Sequence, residues 1–188
     1  MNHLGVQTGP GQKVVHGRVA WIFEDDYDVD MIVGVENIKT YDPDKLLPFL
    51  MATHDPRFTS SVRQGDILVG GRNFGYGHPH YQGMIAMRHV GINTIVADSF
   101  ASGFHRGEVA NGMLLIECPE VSRHASRWQD LEIDLATGTL RGPDFCLPIV
   151  PPSERTLMSW QAGGTFNLLA SELQNASRSL TPHPKHHQ

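Results

Sequence analysis

The fold of this chain is decided by one stretch, Ile67-Leu68-Val69-Gly70-Gly71-Arg72-Asn73-Phe74-Gly75-Tyr76-Gly77-His78-Pro79-His80. Its apolar beginning predicts a buried strand over residues 66–70. A loop rich in glycine follows, and residues 80–90 then carry apolar side chains at helical spacing. In open α/β sheets, a loop that joins a strand to a helix in this way lies where ligands bind.

The residues after this stretch continue the alternation of strands and helices. A short strand is predicted for residues 94–97, a helix for 99–110 and another strand for 113–117. The pair Asn111-Gly112 is typical of a helix end. Because strands that alternate with helices favour parallel pairing, we predict an α/β fold.

The residues before this stretch predict a strand and then an acidic loop. Residues 14–23 alternate moderately, and we expect Val19, Trp21 and Phe23 on one side of that strand. Residues 24–30 contain four Asp and one Glu. Two interpretations of this acidic stretch stay open: a solvated turn, or a loop that binds something cationic.

The remaining elements have weaker signals. A helix is expected to begin at Asp42-Pro43, because Pro is favoured at the first helical position. A hairpin is predicted for residues 131–141, a stiff connection for 148–152, and a helical region that begins at the cap Ser153. We expect a flexible N-terminus (1–12), one domain (13–176) and a disordered polar tail (177–188).

The composition is that of an ordinary soluble globular protein, with 188 residues, 40% hydrophobic and 19% charged residues, and a net charge of −5. This charge argues against nucleic acid as a partner, and no stretch reaches the roughly 18 apolar residues of a membrane span. Two cysteines, Cys118 and Cys146, form no disulfide framework, so the cytoplasm is the expected compartment. We expect both thiols to be core or partly buried. Two thiolates are also too few to hold an iron–sulfur cluster.

The loop after the strand at 66–70 carries the candidate chemistry. Its glycines permit a close approach of the backbone to a ligand. Two histidines, His78 and His80, could bind a carboxylate, move a proton or ligate a metal. The glycine spacing is neither a dinucleotide fingerprint nor a phosphate loop.

The same stretch resembles the small subunits of 3-isopropylmalate dehydratase, which commonly read I-L-V-A-G-x-N-F-G-C-G-S-S-R-E-H. Three further segments are similar to this family in order and spacing. They are the G-R-V at 17–19 followed by D-V-D-M-I at 28–32, the segment 91–111 with its I-V-A-D-S-F-A run, and the A-G-G at 162–164. The resemblance covers residues 17–169.

The resemblance implies a swivelling β/β/α domain like the fourth domain of aconitase. Such a domain works with a large aconitase-like subunit that holds a 4Fe–4S cluster, which acts as a Lewis acid on the hydroxyl of a small carboxylic acid. The swivelling domain supplies a base and donors for carboxylates. This implies a cytoplasmic hydro-lyase, active only with its large subunit, that dehydrates and rehydrates a hydroxy di- or tricarboxylic acid.

The chain departs from the family at the catalytic positions, where S-S-R-E-H is replaced by H-P-H-Y-Q at 78–82. His78 occupies the position of the serine base, and His80 that of the arginine that grips a carboxylate. We therefore predict His78 as the catalytic base and His80 as a weaker carboxylate ligand. Two alternatives stay open: a non-catalytic regulatory or binding paralogue, or a metal site in which Asp25, Asp28 or Asp30 joins the histidines.

The resemblance also implies a wider site. Arg106 matches a family arginine and is expected to bind substrate, although a surface ion pair would explain it nearly as well. Further substrate-binding residues are expected in the loop, namely Gly75, Tyr76 and Gly77, and residues that support the loop are expected at Asp28, Asp30 and Ser99. Arg72 is expected to be exposed. Residues 33–41 lack the family's I-P-A-R-Y-L form, which argues for a substrate other than isopropylmalate.

Overall fold

The computed structural model describes residues 14–78 and 80–179 of the chain. The predicted flexible N-terminus, residues 1–12, lies outside the described residues. So does most of the predicted disordered tail, from residue 180 onward.

The described residues form a seven-stranded sheet with helices between the strands. The strands are β1 (Val14–Ile22), β2 (Ile67–Gly70), β3 (Thr94–Ala97), β4 (Leu114–Glu117), β5 (Asp130–Asp134), β6 (Thr139–Arg141) and β7 (Cys146–Pro148). Their order across the sheet is β4-β3-β2-β1-β5-β6-β7. The first four strands pair in parallel, whereas β5, β6 and β7 pair antiparallel. The predicted α/β fold is confirmed.

Seven helices occur among the described residues: α1 (Pro43–Leu46), α2 (Phe58–Ser61), α3 (Gln82–His89), α4 (Ser102–Ala110), α5 (Val121–His124), α6 (Glu154–Gln161) and α7 (Thr165–Ser179). Short 3-10 turns add Val29–Ile32, Val35–Asn37 and Leu47–Phe49. The predicted helix start at Asp42-Pro43 is confirmed, and Asp42 caps α1 by accepting from Asp44 N–H. The predicted cap Ser153 is confirmed at α6, where it accepts from Thr156 N–H. The last helix continues to Ser179, three residues into the segment that was predicted to be disordered.

Strand β1 joins the parallel and antiparallel parts of the sheet. Its first half pairs with β5 and its second half with β2, with a register shift between Val19 and Trp21. The expectation that Val19, Trp21 and Phe23 share one side is therefore wrong. Val19 packs in one core, while Trp21 and Phe23 pack against the other, because the irregular register reverses the alternation.

Two apolar cores cover the two faces of the parallel strands. On one face, side chains of the sheet such as Leu68 and Ile95 pack against α1, α3 and α4 through Leu46, Met84 and Phe104. On the other face, a second set of sheet residues packs against the β5–β7 hairpins, α5 and α6; it includes Ile67, Val69, Val96, Leu131, Leu140, Val121 and Trp160. Burial on both faces explains why these strands read as continuous apolar runs.

Two expectations about the second half of the chain need correction. The stiff connection predicted for 148–152 begins inside β7, which the sequence reading missed because three residues give too little alternation to recognise. Cys118 is buried, as expected, but Cys146 is exposed on β7. None of the described helices is both long and apolar enough to cross a membrane.

Candidate active site

Three loops meet at the carboxyl edge of the parallel strands. They are the acidic loop after β1 (residues 23–31), the glycine loop after β2 (residues 71–78 and 80–81) and the loop after β3 (98–101). An isolated bridge fastens the second loop to the third, because Phe74 N–H donates to the Ser99 carbonyl at 3.0 Å and Ala101 N–H donates to the Phe74 carbonyl at 2.9 Å. The glycine loop is therefore held in a defined place at the edge where open α/β sheets bind ligands.

Side-chain contacts fix the shape of the glycine loop. Asn73 takes a φ of +54°, its N–H donates to Ser99 Oγ at 2.9 Å, and its amide donates to Asp26 Oδ1 at 2.7 Å. Gly75 N–H donates to the Tyr27 carbonyl at 3.1 Å. Ser99, for which we predicted a supporting role, accepts one hydrogen bond from this loop through Oγ and another through its carbonyl.

Arg72 is exposed, as expected, and forms a three-point contact with Asp25. Its Nε and Nη2 donate to Asp25 Oδ2 at 2.8 and 2.6 Å, and its backbone N–H donates to Oδ1 at 2.7 Å. These hydrogen bonds from Arg72 lower the pKa of the Asp25 carboxyl below its ordinary value. The acidic loop thus contacts a cation within the chain itself.

His80 is held by Asp30 through two hydrogen bonds. The backbone N–H of His80 donates to Asp30 Oδ1 at 2.8 Å, and its ring Nδ1 lies 2.7 Å from Asp30 Oδ2. Asp30 is buried, with 7% of its surface exposed. Its own N–H donates to Asp28 Oδ1 at 3.0 Å. Asp30 therefore contacts the glycine loop through His80, and Asp28 lies next to it, bonded to Asp30.

His78 stands exposed beside His80. The centroids of the two rings are 5.7 Å apart, and the rings are nearly perpendicular at 77°. Tyr76 and Tyr81 flank this pair in sequence, and both are about half exposed. Around His78 the exposed surface of the loop thus presents imidazole and phenol rings that an incoming molecule can reach.

Arg106 lies on α4, the helix that follows β3. Its neighbour Gly107 faces the ring of Tyr81, since a Cβ at that position would lie 3.2 Å from Tyr81 Cε1. Arg106 is exposed and forms no ion pair with a residue that the structure describes. The alternative explanation of this arginine as a surface ion pair is therefore not supported. The contact between Gly107 and Tyr81 places α4 next to the glycine loop.

The donor groups of the chain do not fit an iron–sulfur cluster. Burial, with a smaller contribution from Asp98, raises the pKa of the Cys118 thiol to about 12, so it is a poor thiolate. Cys146 lies on β7, at the opposite edge of the sheet order from β4. Within residues 14–78 and 80–179, no three His, Cys, Asp or Glu side chains lie where they could hold a metal ion.

The arrangement suits a small anion and a proton transfer. Helices α3 and α4 begin at this edge, and the free N–H groups of a helix N-terminus favour negative charge. An exposed imidazole can accept or donate a proton near neutral pH. The acidic loop pairs Arg72 with Asp25 and His80 with Asp30, whereas Arg106 has no ion-pair partner among the described residues.

Sequence reasoning missed the partners of the acidic loop. The contacts Asp25–Arg72, Asp26–Asn73 and Asp30–His80 join residues 47 to 50 positions apart, and no local pattern indicates such pairs. It also missed Gln82, which is only 1% exposed and whose Oε1 finds no hydrogen-bond partner among the described residues. The density of Asp in residues 24–30 was the one available signal.

The known proteins that match this chain in sequence and in fold belong to one class of enzyme. Residues 36–121 match the family described as aconitase C-terminal domain. A 3-isopropylmalate dehydratase small subunit of Methanopyrus kandleri is 35% identical over 163 residues, which are 86% of this chain and 95% of that protein. A homoaconitase small subunit of Methanothermobacter thermautotrophicus is 38% identical over 130 residues, 69% of this chain and 74% of that protein. The crystal structure of a 3-isopropylmalate dehydratase (LeuD) of Methanocaldococcus jannaschii superposes with a TM-score of 0.78 at 29% identity, over 88% of this chain and 99% of that one.

Proposed function

This chain belongs to the family of 3-isopropylmalate dehydratase small subunits, and we propose that it dehydrates and rehydrates a hydroxy di- or tricarboxylic acid together with a large aconitase-like subunit. It is the small subunit of an aconitase-like hydro-lyase. The assignment of the site rests on the pair His78 and His80, whose rings lie 5.7 Å apart on a glycine loop held by hydrogen bonds, with His78 exposed and His80 partly exposed. The family has its serine and arginine at these two positions.

His78 is the proposed catalytic base. Removal of the proton next to a carboxylate needs an acceptor that is basic at neutral pH, and a neutral imidazole meets this need better than a serine hydroxyl. The exposure of His78 leaves its ring accessible to substrate once the large subunit covers the site. The glycines at 75 and 77 give the loop the open backbone that lets a substrate approach.

His80 and Arg106 are the proposed contacts for substrate carboxylates. His80 offers the ring nitrogen that Asp30 does not occupy, and Arg106 offers a guanidinium without an ion-pair partner among the described residues. A guanidinium can bind a carboxylate with two parallel hydrogen bonds, whereas an imidazole forms one. This difference supports a substrate whose carboxylates are arranged differently from those of isopropylmalate.

The 4Fe–4S cluster is proposed to reside in the large subunit. This chain offers one buried thiol of raised pKa and one exposed thiol, which is too few for a cluster. The cytoplasm is the proposed compartment, since two unpaired cysteines fit a reducing environment. We propose neither a nucleic acid nor a membrane as a partner of this chain.

A second candidate is a regulatory or binding role without catalysis. The observation that favours it is the loss of both the serine and the arginine of the family motif at positions 78 and 80. It predicts a stable complex with a large subunit and no turnover of any hydroxy acid.

The first test is an assay of the chain co-purified anaerobically with its large subunit. Isopropylmalate, citramalate, dimethylmalate, malate and homoaconitate would be monitored through alkene absorbance. His78→Ala should lower kcat by about 100-fold or more, the usual contribution of a general base, while the complex stays intact. The matched control is His16→Ala, an exposed histidine at the start of β1, which should leave kcat unchanged. Unchanged turnover in His78→Ala would contradict the assigned base, and a complex inactive on every acid would favour the non-catalytic role.

A further inference from the structure

Both carboxylate oxygens of Asp30 contact a single residue, His80. Oδ1 accepts the backbone N–H of His80 at 2.8 Å, and Oδ2 lies 2.7 Å from the ring Nδ1 of the same residue. Two bonds to the backbone and the ring of His80 fix both the position and the rotation of the imidazole. A solvent-exposed histidine would otherwise sample several rotamers.

The burial of Asp30 makes this contact hard to break. Asp30 lies in the 3-10 turn Val29–Ile32, with 7% of its surface exposed, and its N–H is bonded to Asp28 Oδ1. A buried carboxylate without partners carries a large desolvation cost, which its hydrogen bonds to His80 offset. The side chain of His80 is 40% exposed, so the ring reaches from this buried anchor to the surface.

The contact also decides which ring nitrogen holds a proton. An ionised carboxylate only accepts hydrogen bonds, so Nδ1 must donate and therefore carries a hydrogen. Nε2 is the nitrogen left for a ligand. The negative charge of Asp30 compensates a positive charge on the ring, which makes a charge-assisted hydrogen bond from Nε2 to a carboxylate available.

We infer that Asp30 is a positioning residue that keeps a hydrogen on His80 Nδ1 and directs Nε2 toward the substrate, so that the doubly protonated ring donates one hydrogen bond from Nε2 to a substrate carboxylate. This inference rests on the proposed function for its substrate, and it adds a division of labour. His80, held by Asp30, binds the substrate through one hydrogen bond, and His78 remains available for proton transfer. The site therefore selects acids that need one contact here rather than the two-pronged contact of a guanidinium.

The first arm of the test uses the isolated chain and needs no reaction. Long-range ¹⁵N–¹H NMR on histidine-labelled protein reports which ring nitrogens carry hydrogen. In the natural chain, His80 Nδ1 should be protonated. In Asp30→Asn the amide Nδ2 donates to Nδ1 instead, so Nδ1 should lose its hydrogen and the Nε2–H tautomer should form. An unprotonated Nδ1 in the natural chain would overturn the inference.

The matched control for this arm is Asp42→Asn. Asp42, like Asp30, accepts a backbone N–H through its side chain, in this case from Asp44 at 3.1 Å, but it lies at the start of α1, away from His80. The ring of His80 should keep its Nδ1 hydrogen in this variant. Circular dichroism and the thermal midpoint would establish that Asp30→Asn is folded.

The second arm uses the complex with the large subunit. Asp30→Asn should raise KM by about tenfold and change kcat by less than about threefold, because a neutral hydrogen bond replaces a charge-assisted one in both ground and transition states. A loss confined to kcat would overturn the carboxylate contact. If the natural complex turns over no acid, the proposed function fails, and the NMR arm alone then decides whether Asp30 fixes the His80 proton.

Discussion

Single residues set the shape of the candidate loop. Gly75 has a φ of +83°, and a Cβ at this position would lie 2.2 Å from Phe104 Cγ. Gly77 has a φ of +89°, yet the nearest atom to its Cβ position is Asp28 Oδ2 at 4.0 Å. The two glycines therefore serve different needs: the first permits both an unusual backbone and a close approach to α4, the second permits the backbone alone.

Gly75→Ala should lose about 3 kcal/mol of unfolding free energy, from the left-handed backbone and the overlap with Phe104 together. Urea unfolding followed by circular dichroism measures this loss. Gly77→Ala is the matched control and should lose about 1–2 kcal/mol, from the backbone alone. Equal losses in the two variants would show that Gly75 does not approach α4 as closely as the structure places it.

At the scale of elements, the acidic loop after β1 and the glycine loop after β2 bind each other. Three side-chain contacts join them, Asp25–Arg72, Asp26–Asn73 and Asp30–His80. Backbone hydrogen bonds join them as well, including those from Asp26 N–H to the Arg72 carbonyl and from Gly75 N–H to the Tyr27 carbonyl. The two loops thus form one structure at the edge of the sheet. Both interpretations of the acidic stretch were incomplete, because the cations it binds belong to this chain.

The contact between these loops should contribute to stability in a pH-dependent way. Arg72 lowers the pKa of Asp25 in the folded chain below the ordinary value of 3.8. The contribution is therefore fully present above that value and is lost as pH falls through the lower folded-state pKa. Asp25→Asn should flatten the decline of unfolding free energy as the pH falls below the ordinary carboxyl pKa of 3.8.

Urea unfolding at a series of pH values measures this effect. Arg72→Ala is the matched variant, since it removes the other partner and should flatten the same part of the curve. The double variant should behave like either single variant. An additive flattening would contradict the assignment of the effect to this pair.

At the scale of the whole molecule, the last described helix, α7, packs against α4 and α6. Leu168 of α7 is 6% exposed, and its N–H donates to the Gly164 carbonyl. Phe166 on the same helix is 82% exposed. One side of α7 is therefore part of the fold, while the other side faces outward in the isolated chain.

Leu168→Ala should cost about 2–4 kcal/mol of unfolding free energy, because it removes buried methyl groups and leaves a cavity. Phe166→Ala should change the unfolding free energy by less than about 0.5 kcal/mol, since its ring contacts mainly solvent. Thermal and urea unfolding of the two variants give the comparison. A small loss in Leu168→Ala would mean that α7 is not docked as the structure has it.

Local sequence determined most of the elements. The strand at 94–97, the helix start at Asp42-Pro43 and the cap Ser153 were predicted correctly from apolar spacing, proline preference and capping chemistry, which act over a few residues. The strand, loop and helix around residues 67–90 were predicted for the same reason. Resemblance to the family's motifs then indicated the fold and the class of enzyme, which the relatives support.

Only the tertiary structure decided which residues meet. A register shift between Val19 and Trp21 decides which core each side chain of β1 faces. Such a local irregularity cannot be recognised from the alternation of apolar residues. The pairing of Asp30 with His80 joins positions 50 residues apart, because the ends of parallel strands β1 and β2 lie side by side. Sequence determined which side chains could do the chemistry, since that depends on residue type. The fold decided their partners and orientation, since those depend on contacts made across the sheet.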